Sequence, residues 1–354
     1  MKKIGAAIVV VLIGCALYLL FWPGGMEAQG WNAPEAPALQ GKYEPNHRLK
    51  PVQRIARNAG TGPESVAVDT RSRIYAGYAD GKIWRFNANG QRGKVFADTG
   101  GRPLGMAFTP NGMLIVADAY EGLLAISAGG KISTLATGAG GTPFGFTDDV
   151  AVAPDGTIYF TDASSKYGQP HYLKAIFEHG GYGRLLRYEP YSGRVRVLLK
   201  HLQFANGVTV SGDGRFLLIT ETGSYRVLRY WLKGPKAGSS EVFIDNLPGF
   251  PDGISSNGKG KFWVALFAPR NAQLDWLSSH PLLRRAVFRL PEFLRPSARH
   301  VAFILGLNAQ GQVVNNLQYA SDDAYAPVTS VTQAGNKLYL GSLKENDIGL
   351  IATP

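Results

Sequence analysis

Residues 146–168 read FTDDVAVAPDGTIYFTDASSKYG, which is the pattern of two short strands joined by a turn. Residues 154–156 supply the turn chemistry, and alternating valines and then aromatic and β-branched residues flank them. Two adjacent carboxylates, Asp148 and Asp149, stand at the mouth of the first strand. Neighbouring acids repel each other and are costly to bury, so this pair needs a compensating partner.

The same phrase recurs along the chain. Each copy has a short strand, a turn at Gly or Asn, a second strand, a gap and a third strand, and most copies close with a fourth. The copies begin near Gly62, Arg102, Phe146, Phe204, Phe250 and Pro327, mostly about 40 to 60 residues apart. Four short strands at this period are typical of a β-propeller blade. The sequence therefore predicts an all-β, six-bladed propeller; the alternative, a two-sheet sandwich, does not explain six copies of one phrase.

Composition sets broad limits on function. The chain has 354 residues, 45% of them hydrophobic, with 44 Gly and 21 Pro, which suits a large all-β core with many tight turns. Its formal net charge of +11 is compatible with nucleic acid, an anionic membrane surface or simple solubility. Because the chain has no nucleic-acid-binding motif, we expect no nucleic-acid partner.

The N-terminus predicts a membrane anchor over residues 1–24. Residues 4–22 are uncharged and, at about 1.5 Å per residue, just span a hydrocarbon core of roughly 30 Å. Lys2 and Lys3 precede this run, and Tyr18 and Trp22 lie toward its far end. The positive-inside rule then places the N-terminus in the cytoplasm and the rest of the single-pass chain in the periplasm or a lumen.

Two other interpretations of this run stay open. It is long for a signal peptide and lacks a clear A-x-A site, although simple cleavage remains an alternative. Residues 12–15 read LIGC, which has the shape of a lipoprotein cleavage box, although no polar residue follows Cys15. Cys15 is the only cysteine, so the globular part has neither a disulfide nor a thiol nucleophile.

The remaining chain divides into a tether, residues 25–58, which can supply one closing strand, and a propeller, residues 59–354. Before the last blade, residues 273–298 interleave apolar side chains with arginines. This pattern predicts two short amphipathic helices broken by Pro291. The insertion is either a lid at the channel mouth that rests on an anionic membrane, or a helical pair packed on the propeller with its arginines in solvent.

The residues that enter each innermost strand should converge around the propeller axis. In chain order these positions hold Glu64, Leu104, Asp148, Asn206, Asp252 and Val328 or Thr329. Four of them carry a side-chain oxygen, which is the hard-ligand set that Ca²⁺ prefers. Mg²⁺ and Mn²⁺ remain open, whereas Zn²⁺ is poorly served without His or Cys. The alternative is that each acid makes only local turn hydrogen bonds.

The phrases GPESVAVD, FTDASSKYG, FANGVTVS, GFPDGIS and KLYLGS resemble the strictosidine synthase-like branch of the senescence-marker/gluconolactonase/paraoxonase superfamily. The resemblance runs from about Gly62 to the C-terminus and includes single-anchor membrane proteins. It implies a six-bladed propeller with one axial Ca²⁺, and hydrolysis of esters or lactones in many members. It implies metal ligands at Glu64, Asp148, Asn206 and Asp252. Asp148 stands where Asn is common, and the extra charge should tighten cation binding and weaken Lewis acidity.

A second departure concerns Thr329. The resemblance implies that true strictosidine synthases carry a catalytic glutamate there, just before the strand that leads to Tyr339. A threonine cannot act as the acid–base group of that condensation. We therefore do not expect strictosidine synthase activity.

The expected activity is calcium-dependent hydrolysis of an ester or lactone, as in an arylesterase or lactonase. Asp252 and Asp148 are the first candidates for the general base and Asp149 is the third. Paraoxonase-type relatives use histidines near the metal, which makes His171 and His179 substrate-side candidates on a predicted helix. Arg102 is a further candidate that could hold a substrate carboxylate. The alternative function is a metal-stabilised propeller that binds a ligand or protein without turnover.

Overall fold

Six four-stranded antiparallel sheets make up the chain, in a computed structural model that describes residues 2–21 and 26–354. Within five of these sheets the strands are hydrogen-bonded in chain order, and in the sixth the first strand of the chain pairs with the last. The innermost strand of each blade lies beside those of its neighbours. This is the six-bladed propeller that the repeated phrase predicts.

The first five blades each use four consecutive strands. Blade one has β2 Val66–Val68, β3 Ile74–Gly77, β4 Lys82–Phe86 and β5 Lys94–Asp98; blade two has β6 Pro103–Phe108, β7 Leu114–Asp118, β8 Gly122–Ile126 and β9 Ile132–Ala136. A small hairpin, β10 Gly138–Ala139 and β11 Thr142–Pro143, precedes blade three. Blade three has β12 Thr147–Val152, β13 Ile158–Asp162, β14 Gly183–Glu189 and β15 Arg194–Leu202. Blade four has β16 Ala205–Val210, β17 Phe216–Glu221, β18 Arg226–Trp231 and β19 Ser240–Ile244; blade five has β20 Gly249–Ser256, β21 Lys261–Pro269, β22 Val301–Asn308 and β23 Val313–Ala320.

The sixth blade joins the two ends of the propeller. It consists of β24 Ser330–Ala334, β25 Lys337–Gly341 and β26 Ile348–Ala352, completed by β1 Gln53–Ile55. The registers Gln53↔Leu350 and Ile55↔Ile348 pair the first strand with the last. The predicted closing strand is therefore present, and it leaves the ring of blades without a gap.

In the described part of the chain, four α-helices and four short 3₁₀ turns accompany the strands. The α-helices are α1 Lys2–Phe21, α2 Tyr172–Glu178, α3 Ala272–Ser278 and α4 Pro281–Arg289. The 3₁₀ turns are Gly41–Tyr43, Gln169–His171, Thr222–Ser224 and Glu292–Leu294. The connection between β13 and β14 holds α2, and the connection between β21 and β22 holds α3 and α4. Because both connections leave the ends of second strands, the three helices lie at the same end of the propeller.

The helical insertion differs in two ways from the prediction. It lies inside the fifth blade, since β22 follows it and pairs with β21, and β23 in turn pairs with β22. Its two helices separate at residues 279–280, where Pro281 begins α4, rather than at Pro291, which follows the end of α4. Proline suits the first turn of a helix because the amide it lacks has no intrahelical partner there.

The N-terminal helix α1 stands apart from this core. Its stretch Lys3–Phe21 has a mean hydropathy of 2.8, and none of that stretch is buried within the protein. By length and composition it can cross a bilayer, and a signal sequence has the same properties. Cys15 on this helix is a free, exposed thiol. The predicted interfacial Trp22 lies outside the described residues.

The segment predicted as a tether packs along the propeller. Tyr43 and Leu49 are buried, and Leu49 joins a hydrophobic cluster with residues of blades five and six. The Gln318 side-chain amide donates to the Tyr43 carbonyl at 3.1 Å. This segment therefore contributes to the domain core as well as connecting it to α1.

Candidate functional site

The innermost strands of blades two to five share one irregularity. In blade three, Thr147 pairs with Asp162 and Val150 with Phe160, so three steps on β12 match two on β13. The same extra residue occurs in β6, β16 and β20. Such a bulge re-aims a side chain, and it is common beside functional sites. The first residues of the four bulges are Leu104, Asp148, Asn206 and Asp252, which all line one cavity at the propeller axis.

The second residue of each bulge explains the Asp148–Asp149 pair. It is glycine in three blades, and a Cβ at Gly207 would lie 2.5 Å from the Ile254 nitrogen. In blade three it is Asp149, whose carboxylate accepts from the backbone amides of Val150 and Val208, each at 2.8 Å. Asp149 thus joins blade three to blade four, while Asp148 faces the axis.

Threonine hydroxyl groups of one blade donate hydrogen bonds to the backbone carbonyls of axial residues in the adjacent blade. Thr161 donates to the Asn206 carbonyl at 2.5 Å, Thr220 donates to the Asp252 carbonyl at 2.6 Å, and Thr329 donates to the Glu64 carbonyl at 2.8 Å. Each bond crosses between two blades and fixes the position of one axial residue. Thr161 and Thr220 were not predicted from the sequence, although each stands directly before an acid in a recurrent strand ending.

That recurrent acid is a second set of supporting residues. Asp118, Asp162 and Glu221 each end the second strand of a blade, in VADAY, FTDAS and ITETG. Their carboxylates accept from the backbone amides of Arg102 at 2.9 Å, Phe146 at 2.9 Å and Gln203 at 2.7 Å. These amides lie in the loops that lead into the next axial residues. The repetition of the acid was a signal in the sequence that could have found this role.

The axial cavity has a polar floor and apolar walls. Its volume is about 170 Å³, and its floor is formed by Glu64, Asp148, Asn206 and Asp252. The walls come from the blades and their loops, from α2 and α3, and from the segment after α4. They are mostly aromatic or aliphatic: Leu104, Phe146, Tyr172, Leu173, Ile176, Phe177, Phe204, Phe250, Phe267, Leu274, Pro296 and Leu343. The structure therefore brings the four predicted oxygen-bearing residues together at the bottom of one hydrophobic cavity.

The acids of the floor are buried and oppose one another. Burial, together with the charge of Asp149, raises the pKa of Glu64 to about 7, although Arg102 partly offsets the effect. Burial raises the pKa of Asp148 well above its usual range, and the charges of Glu64 and Asp252 add to it. Burial and the charge of Glu64 likewise raise the pKa of Asp252, and a hydrogen bond from Asn206 partly offsets this rise. Each carboxylate would be stabilised by a cation placed among them.

One further observation fits a cation at this floor. The Oδ2 atom of Asp148 is buried and has no hydrogen-bond partner, a costly arrangement for an isolated acceptor. The donor set of three carboxylates and one amide oxygen matches the preference of Ca²⁺. Across residues 2–21 and 26–354, no three Asp, Glu, His or Cys side chains form a compact ligand cluster. In this arrangement an ion would therefore contact at most two of the three carboxylates, and Asn206 and oxygens from water or substrate would complete its shell.

The substrate-side candidates lie outside the cavity lining. His171 is exposed at the start of α2, and His179 is buried at the other end, where its ring stacks on Trp31 at 4.3 Å. Burial lowers the pKa of His179 to about 3, so this ring is neutral at physiological pH. Arg102 is buried beside the floor, where its guanidinium donates to the Gly62 carbonyl at 3.0 Å.

Tyr172 is a cavity residue that the sequence analysis missed. It lies in the first turn of α2 and lines the cavity above the floor. Burial, and then the charge of Asp252, which lines the same cavity, raises the pKa of Tyr172. A neutral phenol at this position can donate a hydrogen bond to a bound molecule.

Comparison with known proteins agrees with this architecture. Residues 148–235 match the family described as strictosidine synthase, and residues 41–86 match strictosidine synthase-like, N-terminal. Adipocyte plasma membrane-associated protein from Salmo salar is 33% identical over 372 residues, covering 97% of this chain and 89% of its own.

Two solved structures share the fold at low identity. A gluconolactonase from Xanthomonas campestris superposes with a TM-score of 0.62 at 16% identity, covering 94% of this chain and 99% of its own. A calcium-binding regucalcin from Agrobacterium tumefaciens superposes with a TM-score of 0.57 at 15% identity, covering 84% of this chain and 90% of its own. At these identities the likeness shows the fold alone. The family matches and the full-length relative show that the chain belongs to the strictosidine synthase-like family.

Proposed function

We propose that the protein is a calcium-dependent hydrolase of apolar esters or lactones, with its reaction centre at the polar floor of the axial cavity. The observation that carries this proposal is the convergence of Glu64, Asp148, Asn206 and Asp252 under a hydrophobic cavity of about 170 Å³. Apolar walls with a few convergent polar groups are the usual form of a small-molecule site. The gluconolactonase and the calcium-binding regucalcin of the same fold support this choice of chemistry.

The walls favour an aryl or acyl substrate over a sugar. Phe146 and Phe204 meet edge to face at 5.6 Å, and Phe250 adds a third ring to the same lining. Such rings bind apolar groups by burial and leave few hydrogen-bonding partners for hydroxyls. The carbonyl of a bound ester would point to the floor, the part of the cavity where polar groups converge.

The chain supplies a base and a donor for hydrolysis. Asp252 lies on the floor beside Asn206 and can accept the proton of an attacking water; Asp148 is the second candidate. Asp149 is the weakest of the three because both of its oxygens accept backbone amides. Tyr172 can donate to the oxygen on which charge develops. A bound Ca²⁺ would polarise the carbonyl and offset the repulsion among the acids that hold it.

Membrane attachment through α1 is part of the proposal. The helix is long and apolar enough to cross a bilayer, and the Salmo salar relative is named for its association with the plasma membrane. Lys2 and Lys3 favour a cytoplasmic N-terminus, so the propeller would lie in the periplasm or a lumen.

A second candidate function is binding without turnover. It is favoured by Thr329, which stands where the resemblance implies a catalytic glutamate in true strictosidine synthases. Thr329 is buried and its hydroxyl donates to the Glu64 carbonyl. In that case the cation would stabilise the ring of blades, and the cavity would hold a ligand.

A hydrolysis assay on the full-length chain in detergent micelles distinguishes the hydrolase from the binding protein without turnover. Phenyl acetate and a panel of lactones would be tested with calcium, after chelation, and after calcium is restored. Asp252→Asn should abolish turnover while the protein stays folded, and Asp155→Asn, on an exposed turn at the opposite end of blade three, should not. Absence of hydrolysis combined with strong stabilisation by calcium would favour the binding function instead.

A further inference from the structure

The helices α2, α3 and α4 and the 3₁₀ turn Glu292–Leu294 carry an apolar outer surface, here called the lid face. It comprises the exposed apolar side chains Leu173, Trp276, Leu282, Leu283, Phe293 and Leu294. Phe293 is 84% exposed, which is a high value for a large aromatic ring in an ordered segment. An exposed apolar surface of this kind marks a contact site.

The charge around the lid face is strongly positive. Residues 281–300 contain five arginines and a single acid, Glu292. Of the arginines, Arg284 is buried, and Arg299 is exposed beside the rim residues of the cavity. Aromatic and aliphatic residues interleaved with arginines are typical of surfaces that rest on anionic lipid.

The segment that follows α1 is bound directly to these helices. The amide of Glu27 donates to the Glu178 carboxylate at 2.9 Å, and the amide of Gln29 donates to the Glu178 carbonyl at 2.7 Å. Trp31 then stacks on His179, and its amide donates to the Ser278 carbonyl at 3.0 Å. Residues 26–35 therefore form a strap, as named here, across α2 and α3.

The strap fixes how far the lid face can lie from the end of α1. Only six residue steps separate Phe21, the last residue of α1, from Glu27. Even a fully extended chain of that length spans at most about 22 Å. In addition, α4 contacts α1, and the Arg289 guanidinium donates to the Leu19 carbonyl at 2.5 Å. If α1 crosses a bilayer, the lid helices must therefore lie at its surface.

We propose that the lid face docks on the surface of the bilayer that α1 enters, with a preference for anionic lipid, and that the cavity mouth consequently opens at the membrane. The rim residues Leu173, Leu274, Pro296 and Ala298 belong to the lid helices or the segment after them, so docking brings the mouth to the lipid. The consequence for substrates rests on the proposed function: a cavity mouth at the membrane selects substrates that partition into membranes, such as amphiphilic esters.

Fluorescence quenching on the full-length chain tests the docking without any activity assay. In a Cys15→Ser background, Phe293→Cys or Trp276→Cys would carry an environment-sensitive nitrobenzoxadiazole label. Tyr191→Cys is the matched control, because Tyr191 is fully exposed in the β14–β15 turn at the opposite end of the propeller. Each protein would be placed in nanodiscs of phosphatidylcholine, with or without phosphatidylserine, that contain lipids bearing a spin-label quencher.

The proposal predicts quenching at 293 and 276 that is at least about threefold stronger than at 191, and stronger still with phosphatidylserine. Arg299→Glu should remove most of that phosphatidylserine effect, whereas Arg71→Glu, in the exposed β2–β3 turn, should not. Equal quenching at 293, 276 and 191 would overturn the proposal. A blue-shifted label at 293 without lipid quenching would also overturn it and would indicate contact with a second protein. Failure of hydrolysis alone would leave this result unaffected.

Discussion

Asp149 on β12 accepts the backbone amide of Val208 on β16 at 2.8 Å, so that one member of an acidic pair joins two blades. Its neighbour Asp148 occupies the first position of the same bulge and faces the axis. The two adjacent carboxylates therefore have separate tasks: the first belongs to the cavity floor and the second to the scaffold.

Substitution of Asp149 should therefore cost stability before it costs function. Asp149→Ala removes two hydrogen-bond acceptors and leaves the buried Val208 amide unpaired. We expect the free energy of unfolding to fall by about 2–4 kcal/mol. Asp149→Asn keeps one acceptor and should cost about 1 kcal/mol. Urea unfolding of both variants, with Asp155→Asn as an exposed control, measures the difference. Unchanged stability combined with lost calcium binding would instead make Asp149 a ligand.

Asp148→Asn should change calcium affinity and apo stability in opposite directions. Removal of one buried carboxylate weakens the attraction for a cation, by roughly tenfold or about 1.4 kcal/mol. It also relieves the repulsion of Asp148 by Glu64 and Asp252. Burial and charge repulsion raise the pKa values of both Asp148 and Asp252 in the protein without a cation. The chelated variant should consequently melt above the chelated wild type at pH 8. Calorimetric titration and thermal unfolding measure the two effects, and an unchanged calcium affinity would exclude Asp148 as a ligand.

The chelated protein should lose stability as pH rises. Because the pKa of Glu64 is raised from 4.5 to about 7 by burial, the folded state binds its proton more tightly than the unfolded state does. The resulting stabilisation is complete below about pH 4.5 and is lost as pH rises through 7. Calcium replaces the proton, so the difference in melting temperature between loaded and chelated protein should widen from pH 5 to pH 8. Glu64→Gln should make the chelated curve less steep near pH 7, although Asp148 and Asp252 keep raised pKa values and still contribute to it. A flat wild-type curve would contradict the assignment.

The acid that ends the second strand of blade three should contribute strongly to the stability of the folded chain. Asp162 pairs with the buried Arg184 at 2.7 Å and also accepts the Phe146 amide. Asp162→Ala leaves a buried guanidinium uncompensated, at an expected cost of about 3–5 kcal/mol. Asp80→Ala breaks an exposed pair with Lys82 and should cost less than about 1 kcal/mol. Chemical denaturation of the two variants distinguishes them, and equal losses would refute the role given to Asp162.

Loosening the strap should expose α2 without unfolding the blades. Trp31 and Trp276 each stack on a histidine at 4.3 Å, but only Trp31 connects the strap to α2. Trp31→Ala should accelerate amide exchange in α2 at least about tenfold, corresponding to a local loss of about 1.4 kcal/mol. Trp276→Ala is the matched control and should leave α2 unchanged. Equal exchange in both variants would show that the strap does not hold the helix.

Much of this architecture could be predicted because its signals are local. The strand–turn–strand phrase repeats within short windows, so the six blades follow from periodicity and turn chemistry. The register of that phrase then places Glu64, Asp148, Asn206 and Asp252 at equivalent positions, and the structure brings them to one floor.

The features that were missed depend on contacts between distant residues. Asp149 meets Val208 from another blade, and Thr220 holds Asp252 in the same manner. The residues around Asp149 do not mark such a contact, whereas Thr220 stands directly before a recurrent strand-ending acid, and that repeat was not used in the prediction. The strap was read as a tether because it lacks strand or helix periodicity, although its backbone pairs with α2 and α3. Strand β22 was missed because it follows a long helical insertion and does not carry the repeated phrase.

The central claim is that one cation at the axial floor supports hydrolysis. Calcium titrated calorimetrically into chelated full-length protein, with hydrolysis of phenyl acetate and lactones followed on the same samples, tests it most directly. We predict one ion per chain and turnover that rises in proportion to occupancy, with both lost in Asp252→Asn. Turnover that is the same in chelated and loaded protein, or saturating calcium binding with no turnover of any substrate, would contradict the account.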